Sequence, residues 1–162
     1  MKQLLRAVLL AGFAFATNAQ AQAYGSPITL EQARKVMAAA EAEARKSNLN
    51  LSITILDTGG HMVLMQRMDG AFFASADISR DKAWSAAAYK RPGKAFQDRL
   101  ATGGAEIRIL RLRGANPIEG GDPIVADGKI IGGIGVSGGS GEQDGVVSRA
   151  GECIEVASAS PI

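Results

Sequence analysis

Hydrophobic and polar positions along the chain follow two different periods, which predict where helices and strands lie. Apolar residues recur every three to four positions in four segments, and these predict helices at 29–48, 75–89, 92–100 and 141–156. Short β-rich segments bounded by turn residues predict five strands, at 49–57, 61–68, 107–112, 123–126 and 129–136. Two hairpins and no regular β-α alternation predict an α+β domain, a five-stranded antiparallel sheet flanked by helices.

The first 23 residues have the pattern of a secretory signal peptide. Lys2 and Arg6 precede a short apolar run, residues 7–16, and two overlapping A-x-A cleavage sites end at Ala21 and Ala23. The run is shorter than the roughly 20 residues of a membrane-spanning helix. We therefore expect a signal peptide at 1–23, a single domain at 24–162 that is periplasmic or secreted by a bacterium, and no stable membrane insertion.

Charge and cysteine content exclude several classes of protein. The chain has 18 Lys+Arg against 16 Asp+Glu, and the two counts become equal once Lys2 and Arg6 are removed. A nucleic-acid-binding domain normally carries a basic excess, so no nucleic acid partner is expected. The single cysteine, Cys153, excludes an internal disulfide and a CxxC zinc or redox site.

The glycine-rich stretch 133–139 contains two motifs of catalytic type that lack their usual context. A G-x-G-x-x-G fingerprint needs a βαβ unit after it, and only 24 residues follow Gly138. A G-x-S-x-G nucleophile needs a histidine downstream of Ser137, and the only histidine, His61, is upstream. We expect instead that the strand glycines admit a close neighbour, and that the loop 137–139 precedes a helix whose N-terminus can hold an anion.

Five motifs in chain order resemble the GlcG/HbpS haem-binding family. They are Asp57-Thr-Gly-Gly-His61, Arg67-Met-Asp-Gly-Ala71, Asp81–Ala86, Gly120–Ile124 with Asp127–Lys129, and Gly132–Ser137 followed by Glu142–Asp144 and Ala150–Gly151. The resemblance covers residues 28–152. It departs at Ser85 and Gly93, where threonine is usual in both places, and in an arginine-rich segment, 102–116. It implies a fold like the PduO C-terminal domain, haem binding in several members, and even-numbered homo-oligomers, octamers among them.

A haem site needs an apolar slot, cations for the propionates and an axial ligand. We expect His61, the only imidazole, to bind the iron, with Tyr89 and Met65 as alternatives. The other expected haem-binding residues are Arg67, Asp69, Lys82, Ser137 and Gly138, and the expected ring contacts are Phe72, Phe73, Trp84 and Tyr89. Met62, Met65 and Met68 are spaced at three, so in a regular strand neighbouring members would lie on opposite faces.

Two other classes of function remain open from the sequence. An enzyme or accessory protein acting on a small organic acid would surround its substrate with Asp57, Arg67, Asp69, Lys82 and Ser137. Lys82 or Asp69 would then be the acid–base group. A structural or sensory partner protein would use the same charged residues to hold subunits together. A visible spectrum with added haemin separates haem binding from both.

Overall fold

The computed structural model describes residues 22–152, and these form an antiparallel sheet with helices on both faces. The elements in chain order are α1 (Leu30–Lys46), β1 (Ser52–Asp57), β2 (Met62–Arg67), α2 (Ser75–Tyr89), α3 (Gly93–Ala101), a 3-10 helix (Gly104–Arg111), β3 (Gly121–Ala126), β4 (Lys129–Ser137) and α4 (Gly141–Glu152). The strand order is β2-β1-β4-β3, and every neighbouring pair is antiparallel. Helix α2 packs on one face, whereas α1 and α4 pack on the other.

The main apolar core lies between the sheet and the α1–α4 layer. Helix α1 begins at the capping box that the sequence predicts. The backbone N–H of Gln32 donates to the Thr29 hydroxyl, and the backbone N–H of Thr29 donates to the side-chain oxygen of Gln32. Val36 of this helix is fully buried with Ile53 and Ile134 of the sheet. Burial of these aliphatic side chains fixes which sheet face turns toward α1.

The opposite face of β1 carries hydroxyl side chains, and these form hydrogen bonds with serine side chains of α2. Ser52 shares a hydrogen bond of 2.8 Å with Ser75, and Thr54 shares one of 2.7 Å with Ser79. Glycine in β4 allows this close contact, because a Cβ at Gly135 would lie 1.9 Å from the Ser79 carbonyl oxygen. The strand glycines therefore admit the α2 backbone, which is the close neighbour that their sequence positions predict.

The prediction of a five-stranded sheet is wrong, because the sheet formed by residues 22–152 has four strands. Residues 107–112 lie mostly within the 3-10 helix, where a three-residue period turns Ile109 inward and leaves Ile107 and Leu110 exposed. Gly103 and Gly104 precede this segment with φ of 68° and 57°, values that an extended strand does not adopt. The other four predicted strands are confirmed within a few residues.

The segment before α1 is held against the rest of the domain. Tyr24 forms an isolated parallel bridge with Ile130 of β4, and its hydroxyl donates to the Ala87 carbonyl at 2.8 Å. The N-terminal segment is thereby fixed against both the sheet and α2. The predicted C-terminal helix is confirmed for 141–152, and its predicted continuation to residue 156 lies outside the described residues, as do residues 1–21 of the predicted leader.

Candidate functional site

The β1–β2 turn holds a histidine beside a carboxylate. Oδ1 of Asp57 accepts the backbone N–H groups of Gly59 at 2.8 Å and His61 at 2.9 Å, and Oδ2 lies 3.3 Å from Nδ1 of His61. Burial raises the pKa of Asp57, but the backbone hydrogen bonds from His61 and Gly59 and the bond from the His61 ring outweigh it, so this pKa is lowered. Asp57 is therefore ionised at neutral pH.

The ionised Asp57 determines which ring nitrogen of His61 is available. A carboxylate only accepts hydrogen bonds, so Nδ1 of His61 must be the donor in this contact. The neutral ring then has its lone pair on Nε2, and the side chain is 82% exposed. Histidine ligands of metals commonly have this arrangement, with one nitrogen donating to a carboxylate and the other binding the metal.

A methionine-lined surface extends from this turn along β2. Thr54 faces α2 and lies opposite Met65, so Met65 shares that face of the sheet. A register shift in the β1–β2 pairing leaves Val63 as an extra residue and places Met62 opposite Leu56. Because Leu56 is two residues beyond Thr54, Met62 and Met65 lie on the same face rather than on opposite faces. The prediction of alternating methionines is wrong for this pair because of the bulge.

No helix of the described part of the chain covers this methionine face. Helix α2 packs on β1, β3 and β4, and β2 is the edge strand beyond them. Met62 is 52% exposed. Met68, the third methionine of the predicted set, is buried in the core on the α1 side of the sheet. An apolar strip, Met62 with Met65, therefore begins next to His61 and remains open to a ligand or a second subunit.

A pocket beside the turn has the only tryptophan of the chain in its wall. Its volume is about 260 Å³, and its lining is Arg80, Asp81, Trp84, Arg113 and Gly114. Gly60, in the turn before His61, packs against the indole edge, since a Cβ there would lie 2.9 Å from Nε1 of Trp84. The turn and the pocket therefore both contact the Trp84 indole.

The predicted aromatic contacts have different environments. Tyr89 packs edge-on against Trp84, with ring centroids 6.3 Å apart, and its hydroxyl donates to the Arg113 carbonyl at 2.7 Å. Tyr89 thus positions the pocket wall, and its hydroxyl is already engaged. Phe72 and Phe73, before α2, are exposed at the surface.

Lys82 is buried and paired within the fold. Its Nζ donates to Oδ2 of Asp144 at 2.8 Å and to the Val136 carbonyl at 2.9 Å. The other oxygen of Asp144 accepts the Gly139 amide at 2.9 Å. A Cβ at Gly120 would lie 2.9 Å from the Lys82 Nζ, so the absence of a side chain there leaves room for the pair to connect α2 with α4. Lys82 and the loop amide are both occupied by partners in this chain.

The remaining predicted site residues lie at the opposite end of the sheet from His61. Arg67 and Ser137 are both in register with Ser52, and Gly138 and Asp69 follow directly on from these strand ends. Ser137 is buried, whereas Arg67 and Asp69 are exposed. At about 3.3 Å per strand residue, His61 and Arg67 are about 20 Å apart. Lys82 lies at this end as well, since it donates to the carbonyl of Val136, next to Ser137. The structure therefore brings together five of the six predicted residues, and only His61 lies apart.

The structure also identifies site residues that sequence reasoning missed, namely Arg80 and Arg113. A helical spacing of four places Arg80 and Trp84 on one side of α2, so this pair was detectable in the sequence. Arg113 lies 29 positions beyond Trp84, and no local pattern indicates that they share a pocket.

The two departures from the GlcG/HbpS pattern contact the same segment of the chain. The Ser85 hydroxyl accepts a hydrogen bond from the backbone N–H of Asn116 at 2.9 Å. A Cβ at Gly93 would lie 2.3 Å from the Ile118 carbonyl oxygen, so a threonine there would require this backbone to move. Both positions thus shape residues 116–118, which directly follow the Arg113–Gly114 wall of the pocket.

Residues 22–152 contain neither a cluster of metal-binding side chains nor a membrane-spanning helix. No group of three or more His, Cys, Asp or Glu side chains in this range could hold a metal ion. No helix in the same range is long and apolar enough to cross a membrane.

Known proteins resemble this chain along most of its length. It is 40% identical over 125 residues to an uncharacterized 15.0 kDa protein from the dhaT-dhaS intergenic region of Citrobacter freundii, covering 75% of this chain and 87% of the relative. It is 36% identical over 110 residues to protein GlcG of Escherichia coli K12, covering 68% and 81%.

Solved structures and family models agree with these relatives. The crystal structure of a PduOC:heme complex superposes with a TM-score of 0.70 at 26% identity, covering 78% of this chain and 93% of that one. The family model described as haem degrading protein HbpS-like matches residues 28–152. The resemblance expected from the sequence motifs is thus confirmed, and the chain belongs to the HbpS-like family.

Proposed function

We propose that this protein binds haem at the surface formed by the β1–β2 turn and the methionine face of β2. The observation that carries the proposal is the Asp57–His61 pair, which leaves Nε2 of an exposed histidine free beside Met62 and Met65. Support also comes from the family description and from the haem complex of PduOC, a relative of the same fold.

The residues present fit the group chemically. Imidazole is a common axial ligand of haem iron, and a carboxylate on its other nitrogen increases its basicity and fixes the ring. The Met62–Met65 strip offers apolar contact to a porphyrin ring, and Trp84 offers an aromatic edge beyond Gly60. Bound haem would supply redox or ligand-sensing chemistry, and His61 would hold its iron.

A second subunit completes the site in this proposal. The pocket at Trp84 holds about 260 Å³, whereas pockets that enclose small-molecule ligands span about 300–1,000 Å³. Phe72 and Phe73 are 50% and 82% exposed, and aromatic side chains are enriched in subunit interfaces. We infer an even-numbered homo-oligomer, whose mass by light scattering is a multiple of the monomer mass. A monodisperse monomer would contradict it.

Haemin titration tests the proposed function directly. Wild type should shift the Soret band on binding, and His61→Ala should bind at least about tenfold more weakly with a different band position, because one iron ligand is lost. Lys35→Ala is the control, since Lys35 is exposed on α1, which packs on the other face of the sheet, and no haem contact is assigned to it. Equal spectra and affinities for wild type and His61→Ala would reject the proposal.

We propose that the protein is located in the periplasm or secreted into the medium, and that it takes part in haem or iron handling or sensing. The proposed location rests on Lys2, Arg6, the apolar run 7–16 and the A-x-A sites. N-terminal sequencing of protein recovered from the periplasm of a bacterial host should begin at Gln22 or Tyr24. Soluble cytoplasmic protein that retains Met1 would contradict export.

A further inference from the structure

Arg80 and Arg113 face one pocket without partners of their own. Both line the cavity at Trp84. Within residues 22–152, neither guanidinium forms a hydrogen bond or ion pair, and the only bond to Arg113 is the one that its carbonyl accepts from Tyr89. Asp81 is the only acidic residue in the lining, so the pocket carries a net positive charge.

The geometry around Trp84 fixes this pocket in place. Gly114 has φ of 71°, and a Cβ there would lie 2.4 Å from the six-membered ring of the indole, so its backbone packs directly on the ring. Gly60, with φ of 81°, packs at the other end of the indole. The Tyr89 hydroxyl holds the Arg113 carbonyl at 2.7 Å. The two arginines are thus carried by fixed backbone next to an aromatic group.

Other cations in the candidate site are unsuited to the same task. Lys82 is buried and paired with Asp144. Arg67 is at the far end of β2, about 20 Å from His61 by strand length. The pocket at Trp84, in contrast, adjoins the turn that carries His61.

We propose that Arg80 and Arg113 bind the two propionate carboxylates of a tetrapyrrole, with Trp84 against the ring edge. This inference rests on the proposed function, because it assigns the carboxylate end of the same ligand. Guanidinium groups bind carboxylates through paired, charge-assisted hydrogen bonds, which a lysine does not reproduce. Recognition of this end requires no iron, so the pocket selects porphyrins with free carboxylates, whether or not they hold a metal.

Trp84 fluorescence provides the test, since it is the only tryptophan in the chain and lies in the pocket. Purified protein is titrated with iron-free protoporphyrin IX and with its dimethyl ester, which keeps the ring and removes both charges. Arg80→Gln/Arg113→Gln is compared with Arg34→Gln/Arg111→Gln, a control that removes two exposed arginines outside the pocket.

The wild type and the control should bind the free acid at least about tenfold more tightly than the ester, since each lost charged hydrogen bond weakens binding by about a factor of ten. The Arg80→Gln/Arg113→Gln variant should bind acid and ester alike, at the affinity of the wild type for the ester. Equal affinity of this variant and wild type for the acid overturns the inference, as does a Trp84 emission that neither porphyrin changes. Failure of the haem proposal has a different signature: the free acid still quenches Trp84, while His61→Ala leaves the haemin spectrum unchanged.

Discussion

Lys82 and Asp144 form an ion pair inside the fold, whereas His61 and Asp57 form a hydrogen-bonded pair at the tip of a hairpin. The buried pair is 2.8 Å apart with side chains 1% and 4% exposed, and the hairpin pair is 3.3 Å apart with side chains 82% and 20% exposed. In the first pair every polar atom has a partner in the chain, including the Val136 carbonyl and the Gly139 amide. In the second pair Nε2 of His61 has none among the described residues.

This difference separates a structural role from a binding role. A buried cation that is paired with a buried carboxylate cannot move to a ligand without leaving that carboxylate unpaired. An exposed imidazole that is fixed by a carboxylate loses little conformational freedom when it binds a metal, because its orientation is already set. The residues that the sequence assigns to one ligand therefore divide between the two roles.

Loss of the buried pair should have the largest effect. Lys82→Met leaves the Asp144 carboxylate buried without its cation, and we expect a loss of about 3–5 kcal/mol in the free energy of unfolding. Lys35→Met is the control, because Lys35 forms an exposed pair with Glu31 at 3.2 Å, and such pairs contribute little. Urea denaturation measures both variants. Equal midpoints for the two would contradict the structural role of Lys82.

A second substitution should restore part of that loss. In Lys82→Met/Asp144→Asn the buried charge is gone, and the amide oxygen still accepts the Gly139 N–H. We expect the double variant to recover about 1–3 kcal/mol relative to Lys82→Met, the usual penalty of an uncompensated polar group. A double variant as unstable as Lys82→Met would mean that packing of the lysine stem, rather than charge, accounts for the loss.

The exposed pair should show the reverse behaviour. Asp57→Asn keeps acceptors for the turn amides but removes the charge that orients His61. We expect haemin affinity to fall by about 10-fold, the lower range for outer partners of metal ligands, with a change in unfolding free energy of under about 1 kcal/mol. Haemin titration and urea denaturation on the same sample measure both. Unchanged affinity together with lost stability would reverse the assignment.

Asp122 lies between the cases of Asp144 and Asp57. It is buried like Asp144, but its partner is the Ser148 hydroxyl rather than a lysine. Burial raises the pKa of Asp122, and the bond from Ser148 only partly offsets it. A raised folded-state pKa means that stability is greatest below the ordinary carboxyl pKa and is lost as the pH rises through the folded value.

Replacing this carboxyl should therefore remove a pH dependence. Asp122→Asn should be more stable than wild type at neutral pH, by less than the Lys82 effect, and the difference should shrink as the pH falls through the raised folded-state pKa toward about 4, the ordinary Asp pKa, with no further change below it. Thermal melts of both proteins from acidic to neutral pH measure this. A difference that grows on acidification would contradict the buried, raised-pKa description.

Local patterns were sufficient for much of the fold, because capping, turns and helical spacing act within a few residues. The Thr29 capping box and the bounds of α2 are examples that the structure confirms. The prediction of a strand at 107–112 fails because Ile107 and Ile109 fit an alternating period, whereas Ile109 and Leu112 fit the three-residue period that the chain adopts.

The site was harder to predict because its partners are far apart in sequence. Lys82 next to Asp81 has the pattern of a surface charge, and nothing local indicates Asp144, 62 residues away. Its place on the buried side of α2 with Ser79 and Ala86 was the available signal. The methionine face depended on a bulge, and Arg113 depended on a tertiary contact.

Chemical rescue of a missing imidazole tests the central claim most directly. His61→Gly is mixed with haemin, and the visible spectrum is recorded with and without free imidazole, which replaces the lost ring without a covalent link. If Nε2 of His61 binds the iron, the variant spectrum differs from wild type and imidazole restores the wild-type bands, while Lys35→Met shows the wild-type bands throughout. If His61→Gly alone gives the wild-type bands, the iron is held elsewhere, and the assignment of the buried pair to the fold and of the exposed pair to function is wrong.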